Sequence, residues 1–289
     1  MSITNYLLGC PIWANKNWVG ELFKPKTPAR DFLRQYATVF NTVEGNATFY
    51  ALPAPETVSR WKEETPEDFR FCFKFSRTIS HDLKLVGARD QTTEFLSRLA
   101  PLQDRLGPLF LQLPPSYGPN LLPGLEKFLR ALPNEFQYAV EVRHPEFFSN
   151  SSAQLDALLS DVGVDRVIFD TRGLHRAKTN DPSALEAKRK KPDLPVQFSS
   201  TGNRPFVRFV GHPDVEENLP FLREWAGVAA GWLAEGKSPC IFLHAPDDFY
   251  APRLAKHFHR LLSEQSSVGD LPAFPADQQE NKQEQLSLF

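Results

Sequence analysis

Five side chains stand out by type and setting: Glu44, Lys74, Glu141, Arg143 and Arg208. Each lies in or at the end of a short apolar run: VFNTVEGN (39–46), FRFCFKF (69–75), YAVEVR (138–143) and FVRFVG (206–211). Burying ionisable groups is costly, and apolar residues would close a core at less expense. A ring of mixed charge around one axis is therefore more often a ligand site than an internal brace. Lys74, Arg143 and Arg208 together suit an anion, either phosphate or carboxylate. Glu44 and Glu141 are the matching acid and base, their pKa values separated by the neighbouring cations. Paired carboxylates also serve glycoside hydrolysis, which requires a definite separation. A divalent metal is a further alternative, with Glu44, Glu141, His144, Asp170, His212 and His244 as donors. Three cations in the same ring argue against a tight metal cluster. No cofactor is demanded by the residues present.

These residues meet only if separate elements carry them to one place. Within each run the period is two. Val39 and Val43 oppose Thr42, Glu44 and Asn46; Tyr138, Val140 and Val142 oppose Ala139, Glu141 and Arg143. Phe71, Phe73 and Phe75 oppose Arg70, Cys72 and Lys74; Leu109, Leu111 and Leu113 oppose Phe110 and Gln112. Alternation of this kind marks strands with one apolar face. YLLGC (6–10), LFLQLP (109–114), RVIFD (166–170) and CIFLH (240–244) complete eight strand candidates. Amphipathic stretches alternate with them, for example 29–36, 93–102, 122–132, 153–159 and 219–233. Eight such units over about 260 residues predict an α/β fold of (β/α)8 TIM type. The apolar faces would pack on helices. The other faces would point to the axis and become polar toward the C-terminal mouth, where sites of such barrels lie. The polar set expected there is Glu44, Asn46, Lys74, Gln112, Glu141, Arg143, Asp170, Arg208 and His244. The sixth unit is irregular, with a polar, basic stretch at 171–201 read as loop.

The long motifs FNTVEGNATFYALP, FRFCFKFSRTISH, LGPLFLQLPPSY, YAVEVRHPEFF and FVRFVGH resemble the YecE-like family, as does the opening GCPIWANKNWVGELFKP. The resemblance runs from about residue 7 to 262. It implies a TIM-type barrel and no settled reaction. Carried over by motif, the family's site is Glu44, Asn46, Thr48 and Tyr50, then Lys74 and His81, Gln112, Glu141 and Arg143, and Arg208. The chain departs from the family pattern at Ile12, at Val210-Gly211-His212 and in HAPDDFY (244–250).

The chain has 289 residues and a net charge of −2, so a nucleic-acid contact would have to be local. Cys10, Cys72 and Cys240 sit in apolar runs and predict buried thiols in a reducing cytoplasm. Neither a signal peptide nor a membrane span is expected. Lys188 to Lys191 form a basic run with two readings, a solvated stretch or a phosphate contact. His257 and His259 are expected to be solvated. From 263 onward the chain is mostly polar or Pro, which predicts a barrel of 1–262 and a flexible tail of 263–289. That tail ends in Gln285, Leu286, Ser287, Leu288 and Phe289. QLSLF resembles the pentapeptide by which bacterial polymerases and repair proteins dock on the sliding clamp. A tether of about 20 residues, spanning roughly 25 Å, would hold the barrel near DNA without a basic surface. The expected function is an enzyme, hydrolase-like, acting on a phosphate-containing substrate, with DNA first among candidates. In it Glu44, Lys74 and Glu141 are catalytic, and Asn46, Tyr50, His81, Gln112, Arg143 and Arg208 bind substrate. Two alternatives are an enzyme for a small phosphorylated or sugar-like metabolite and a non-catalytic DNA-binding module.

Overall fold

Alternating apolar side chains build strands because each strand can bury one row against helices and another against its own axis. The computed structural model describes residues 3–278, and among them it has eight strands in chain order. They are β1 (Leu7–Gly9), β2 (Thr42–Gly45), β3 (Arg70–Phe73), β4 (Leu109–Gln112), β5 (Tyr138–Glu141), β6 (Asp165–Asp170), β7 (Phe206–Val210) and β8 (Cys240–His244). Every pairing is parallel. Six strands form one sheet in the order β1-β8-β7-β6-β5-β4, and β2 and β3 form a second. Backbone hydrogen bonds cross both gaps. The Glu44 N–H donates to Cys10 O at 3.0 Å beside β1, and the Phe75 N–H donates to Phe110 O at 3.0 Å beside β4. The fold is α/β and TIM-barrel-like.

The helices are α1 (Phe32–Tyr36), α2 (Pro55–Glu64), α3 (Arg89–Leu99), α4 (Leu122–Arg130), α5 (Ser152–Asp161), α6 (Arg172–Arg176), α7 (Pro182–Lys190), α8 (Leu219–Ala234) and α9 (Ala251–Ser263). The outward strand rows, among them Val43, Phe71, Phe73, Leu111, Val140, Val207 and Ile241, join the helices in the main core. The inward rows form a separate apolar plug of Cys72, Phe110, Ala139, Val167, Phe206, Cys240 and Phe242. This plug fills the lower barrel, so polar side chains one step further along the same rows stand above it. Gly45 follows Glu44 because a Cβ there would lie 2.2 Å from the Phe73 ring.

Three expectations change. The stretch 171–201 is not all loop, since it holds α6 and α7. Asp181 caps α7 by accepting from the Ala184 N–H at 2.8 Å, Pro182 occupies its first turn, and Ala184 and Ala187 are buried. His259 is buried and hydrogen-bonded to the Tyr6 hydroxyl through Nδ1 at 2.7 Å, not solvated. The chain beyond 262 does not loosen at once. Thr4 N–H donates to Val268 O at 2.9 Å, and Ala276 N–H to Leu22 O at 3.2 Å. Phe274 is buried against Phe40, with the Lys256 ammonium 4.8 Å from its ring centroid. The packed body therefore extends to at least residue 278. A few well-placed apolar anchors hold a segment that its mean polarity misrepresents. Gln285, Leu286, Leu288 and Phe289 lie outside the described residues. Among the described residues no helix is long and apolar enough to cross a membrane.

Phe274→Ala should lower the unfolding free energy by about 3 kcal/mol in urea titrations. A chain ending at 262 should melt well below one ending at 278. Equal melting temperatures would show that the extension adds nothing.

Candidate functional site

The centre of the site is Arg208 on β7, directed inward above Phe206. Its Nε donates to Glu44 Oε2 at 2.8 Å and its Nη2 to Glu44 Oε1 at 2.6 Å. Its Nη1 donates to Glu141 Oε2. One guanidinium thus joins β2 to β5 across the axis. Arg143 extends the network, its Nε donating to Glu141 Oε1 at 2.6 Å. Asn46 Nδ2 donates to Glu44 Oε1 at 2.6 Å, and His244 Nε2 lies 3.1 Å from Glu44 Oε2. Aromatic rings line the cations: Arg208 lies 5.2 Å from the Phe110 centroid and 5.1 Å from that of Phe169, and Arg143 lies 4.8 Å from Phe169.

Lys74 lies just beyond β3. Its Nζ donates to Gln112 Oε1 at 2.9 Å and sits 3.9 Å from the Phe49 centroid. Thr48 Oγ1 donates to Lys74 O at 2.6 Å and to Gly45 O at 3.1 Å, fixing the backbone on both sides. His81 is on a π-type turn, Thr78–Asp82, a turn class frequent at functional sites. Its Nδ1 is 2.8 Å from Ser80 Oγ, and its ring packs edge-on to Phe49 at 5.0 Å.

With this geometry in place, the comparisons decide the family. Residues 7–279 match the family described as "Protein of unknown function DUF72". The chain belongs to the DUF72 family. It is 42% identical over 285 residues to UPF0759 protein YecE of Escherichia coli (strain K12), covering 98% of this chain and 99% of YecE. Two solved DUF72 proteins share its fold. One, from Enterococcus faecalis V583, has a TM-score of 0.71 at 19% identity, covering 93% of this chain and 98% of that one. The other, from Thermotoga maritima MSB8, has a TM-score of 0.69 at 20% identity, covering 89% and 99%. The YecE-like resemblance of the sequence motifs is thus supported over nearly the whole chain.

In this DUF72 chain the electrostatics follow from burial. Burial alone would raise the Glu141 pKa, but Arg208, Arg143 and Lys74 outweigh it and hold it at about 2. Glu44 is likewise held well below the carboxylate range, as Arg208 and His244 overcome its burial. Arg208 is fixed as a cation by the two carboxylates despite its burial. Lys74 goes the other way: burial, then Arg208, push it down to about 7, and Glu141 only partly offsets them. The Phe49 ring favours the ammonium form, yet the combined penalty prevails. His81 is pushed down to about 4 by burial and by Lys74, so its ring is neutral at pH 7.

Most of the expected axis set does converge: Glu44, Lys74, Gln112, Glu141, Arg143, Arg208 and His244, with Asn46 joined through Glu44. Asp170 does not. Its Oδ2 accepts from Trp225 Nε1 at 2.8 Å on α8, and both its oxygens accept from Arg172. On β6 the inward row is Val167 and Phe169, so Asp170 faces outward. His144 and His212 accept backbone N–H groups of their own loops, from Glu146 at 3.3 Å and Asp214 at 2.9 Å. Among the described residues no group of three or more His, Cys, Asp and Glu is placed to hold a metal. The Glu44 and Glu141 oxygens are occupied by guanidinium groups, which does not fit a divalent cation between them. Tyr50 is 81% exposed at the rim, against Phe49. Trp13 packs edge-on to Trp61 at 5.4 Å. Cys10, Cys72 and Cys240 are buried and free, as their apolar runs implied. Two grooves, of about 890 Å3 each, lie away from the axis, one beside α9 and the other between α3 and α4.

Sequence reasoning missed Lys191. It was visible only as the end of a basic run, yet its neighbours differ from it. Lys188 Nζ donates to Ala177 O at 2.5 Å, and Lys190 pairs with Glu186 at 2.5 Å. Lys191 is instead partly buried in the field of Asp248, Arg208, Glu44 and Arg143, and its pKa is lowered chiefly by burial. No period-based signal could have singled it out.

Arg208→Met leaves two carboxylates buried without their cation and should destabilise by about 3–5 kcal/mol in denaturant titrations. Glu141 binds its proton less readily folded than unfolded. Its stabilisation is present above pH 4.5 and is lost as pH falls toward about 2. Lys74 has the opposite consequence. Between about 7 and 10.5 the unfolded chain holds that proton more tightly, so stability rises with pH across the window. Lys74→Met should flatten that rise and raise the melting temperature at pH 7.

Proposed function

We propose that this chain is an enzyme of (β/α)8 type acting on a phosphate-class anionic substrate at its C-terminal mouth, with Lys74 as the proton-transfer group or nucleophile. The carrying observation is the setting of Lys74 Nζ. It is nearly buried, it lies in the field of two guanidinium groups, and its hydrogen-bond partner is the neutral Gln112 side chain. An amine held near neutrality in this way is basic and nucleophilic at working pH. The carboxylates suit that task less well, because Arg208, Arg143, Asn46 and His244 engage their oxygens and both are kept ionised. Their role is to orient the arginines. Arg208 has all three of its nitrogens engaged by the two carboxylates. Arg143 has only Nε engaged and is 13% exposed, so its terminal nitrogens are the natural anion contact, joined by Lys191. An arriving anion would stabilise the Lys74 ammonium, coupling substrate binding to proton uptake.

Calorimetry with inorganic phosphate and pyrophosphate should show binding that Arg143→Met weakens by about tenfold or more. For any substrate turned over, Lys74→Met should reduce kcat about 100- to 10,000-fold. The wild-type kcat/KM should rise with pH through about 7. Full turnover by Lys74→Met would sink the assignment.

DNA as the substrate, with recruitment to the bacterial sliding clamp, is a second reading that one observation favours: the peptide QLSLF at 285–289. A short segment with Leu and Phe anchors suits reversible docking into a preformed pocket. The peptide 279–289 should bind a bacterial sliding clamp in calorimetry and lose binding when Leu288 and Phe289 become Ala. No heat from the intact peptide would remove this reading and leave the site assignment untouched.

A further inference from the structure

The mouth contains a carboxylate that the central network does not reach. Asp248 lies in the turn after β8, four residues beyond His244. Its Oδ1 is buried without a hydrogen-bond partner, a condition shared among the described residues only with Gln91 Oε1. Such an atom is costly unless something satisfies it. The backbone at Asp248 is also left-handed, with φ of +61°, a conformation that non-glycine residues adopt sparingly and often at functional sites. The turn is held in that shape. Trp18 Nε1 donates to the carbonyls of Asp248 and Phe249 at 3.0 Å each, and the Asp248 N–H donates to Ala245 O at 3.1 Å.

Lys191 approaches from another element. It is the first residue past α7, and its segment is tied to the region just beyond β6. Thr171 Oγ1 donates to Pro192 O at 2.8 Å, and His175 Nε2 lies 3.0 Å from Lys191 O. Asp248 is among the charges that act on Lys191, but the two form no direct ion pair. Asp248 is influenced in turn by His244 and Glu44. A carboxylate after β8 and an ammonium after α7 therefore lie in the field of the same network, the carboxylate with an oxygen left unpartnered.

We propose that Asp248 and Lys191 are the specificity pair of this mouth: Asp248 Oδ1 accepts a hydrogen bond from a substrate hydroxyl, while Lys191 holds an anionic oxygen of the same molecule. The ligand class is a hydroxyl-bearing phosphate ester, a sugar or polyol phosphate, in preference to bare phosphate. This rests on the reading of the mouth as an anion site. A site built to bond a hydroxyl discriminates strongly against ligands that lack one, because its own polar group is then left unpaired.

The test is calorimetric titration of the full chain with inorganic phosphate, glycerol 3-phosphate and ribose 5-phosphate. The wild type should bind at least one of the two esters about tenfold or more tightly than inorganic phosphate. Asp248→Gly removes the carboxylate, and glycine accepts the left-handed backbone without strain. It should abolish the preference while leaving phosphate affinity within about twofold. Lys191→Met, whose melting temperature should match the wild type, should weaken all three ligands. A preference that survives in Asp248→Gly overturns the inference, as does equal binding of all three ligands by the wild type. Either result leaves the anion site standing. Failure of the wild type to bind any of the three removes both the anion site and this inference.

Discussion

The structure turns on one buried guanidinium held between two carboxylates. Arg208 reaches Glu44 and Glu141, which lie 164 and 67 residues away in sequence. Taking such charges out of water is costly, and only good geometry with saturated hydrogen bonding recovers the loss. Here the geometry is good: a two-nitrogen grip on Glu44, a further bond to Glu141, Asn46 and His244 on the same Glu44 oxygens, and Arg143 on the remaining Glu141 oxygen. An apolar core at this level would be easier to stabilise. The network therefore makes more sense as a device that fixes charge in space, on three strands, above an apolar plug that excludes water from below.

That arrangement has a consequence for Lys74. With Arg208 and Arg143 immobilised nearby, a buried amine cannot keep its proton at its ordinary pKa. The carboxylates that would normally rescue it are already neutralised by the arginines. The reactivity assigned to Lys74 thus comes first from its burial and then from the Arg208 bridge. A change at Glu44, Asn46 or His244 would reach Lys74 through the field and not through contact.

The mouth is completed by segments outside the strands. The stretch after β6 reads as loop by composition, yet it holds α6 and α7 and brings Lys191 into the field of the central charges. The turn after β8 brings Asp248, anchored by Trp18 from the first loop. Loops carrying ligand-facing groups over a rigid parallel barrel are the usual division of labour in such folds. The chain belongs to DUF72 and is 42% identical to UPF0759 protein YecE of Escherichia coli (strain K12) over nearly its whole length.

Much of this was legible in the residues alone. Eight strands and the common side of Glu44, Lys74, Gln112, Glu141 and Arg208 follow from a period of two, which is a property of each short segment by itself. The same rule failed at Asp170. In DRVIFD the row Arg166, Ile168 and Asp170 is the more polar, so the rule turns it to the axis; in the fold Asp170 is instead held outward by Trp225 on α8 and by Arg172. Composition misled after residue 262, where Val268 and Phe274 find Thr4 and Phe40, partners remote in the chain. Sequence, in short, determined which groups could share a side, because alternation is local. Which carboxylate neutralises which cation, which amine is left near neutrality and which carboxylate oxygen is left without a partner were decided only in the folded chain, because those are contacts between distant segments at fixed distances.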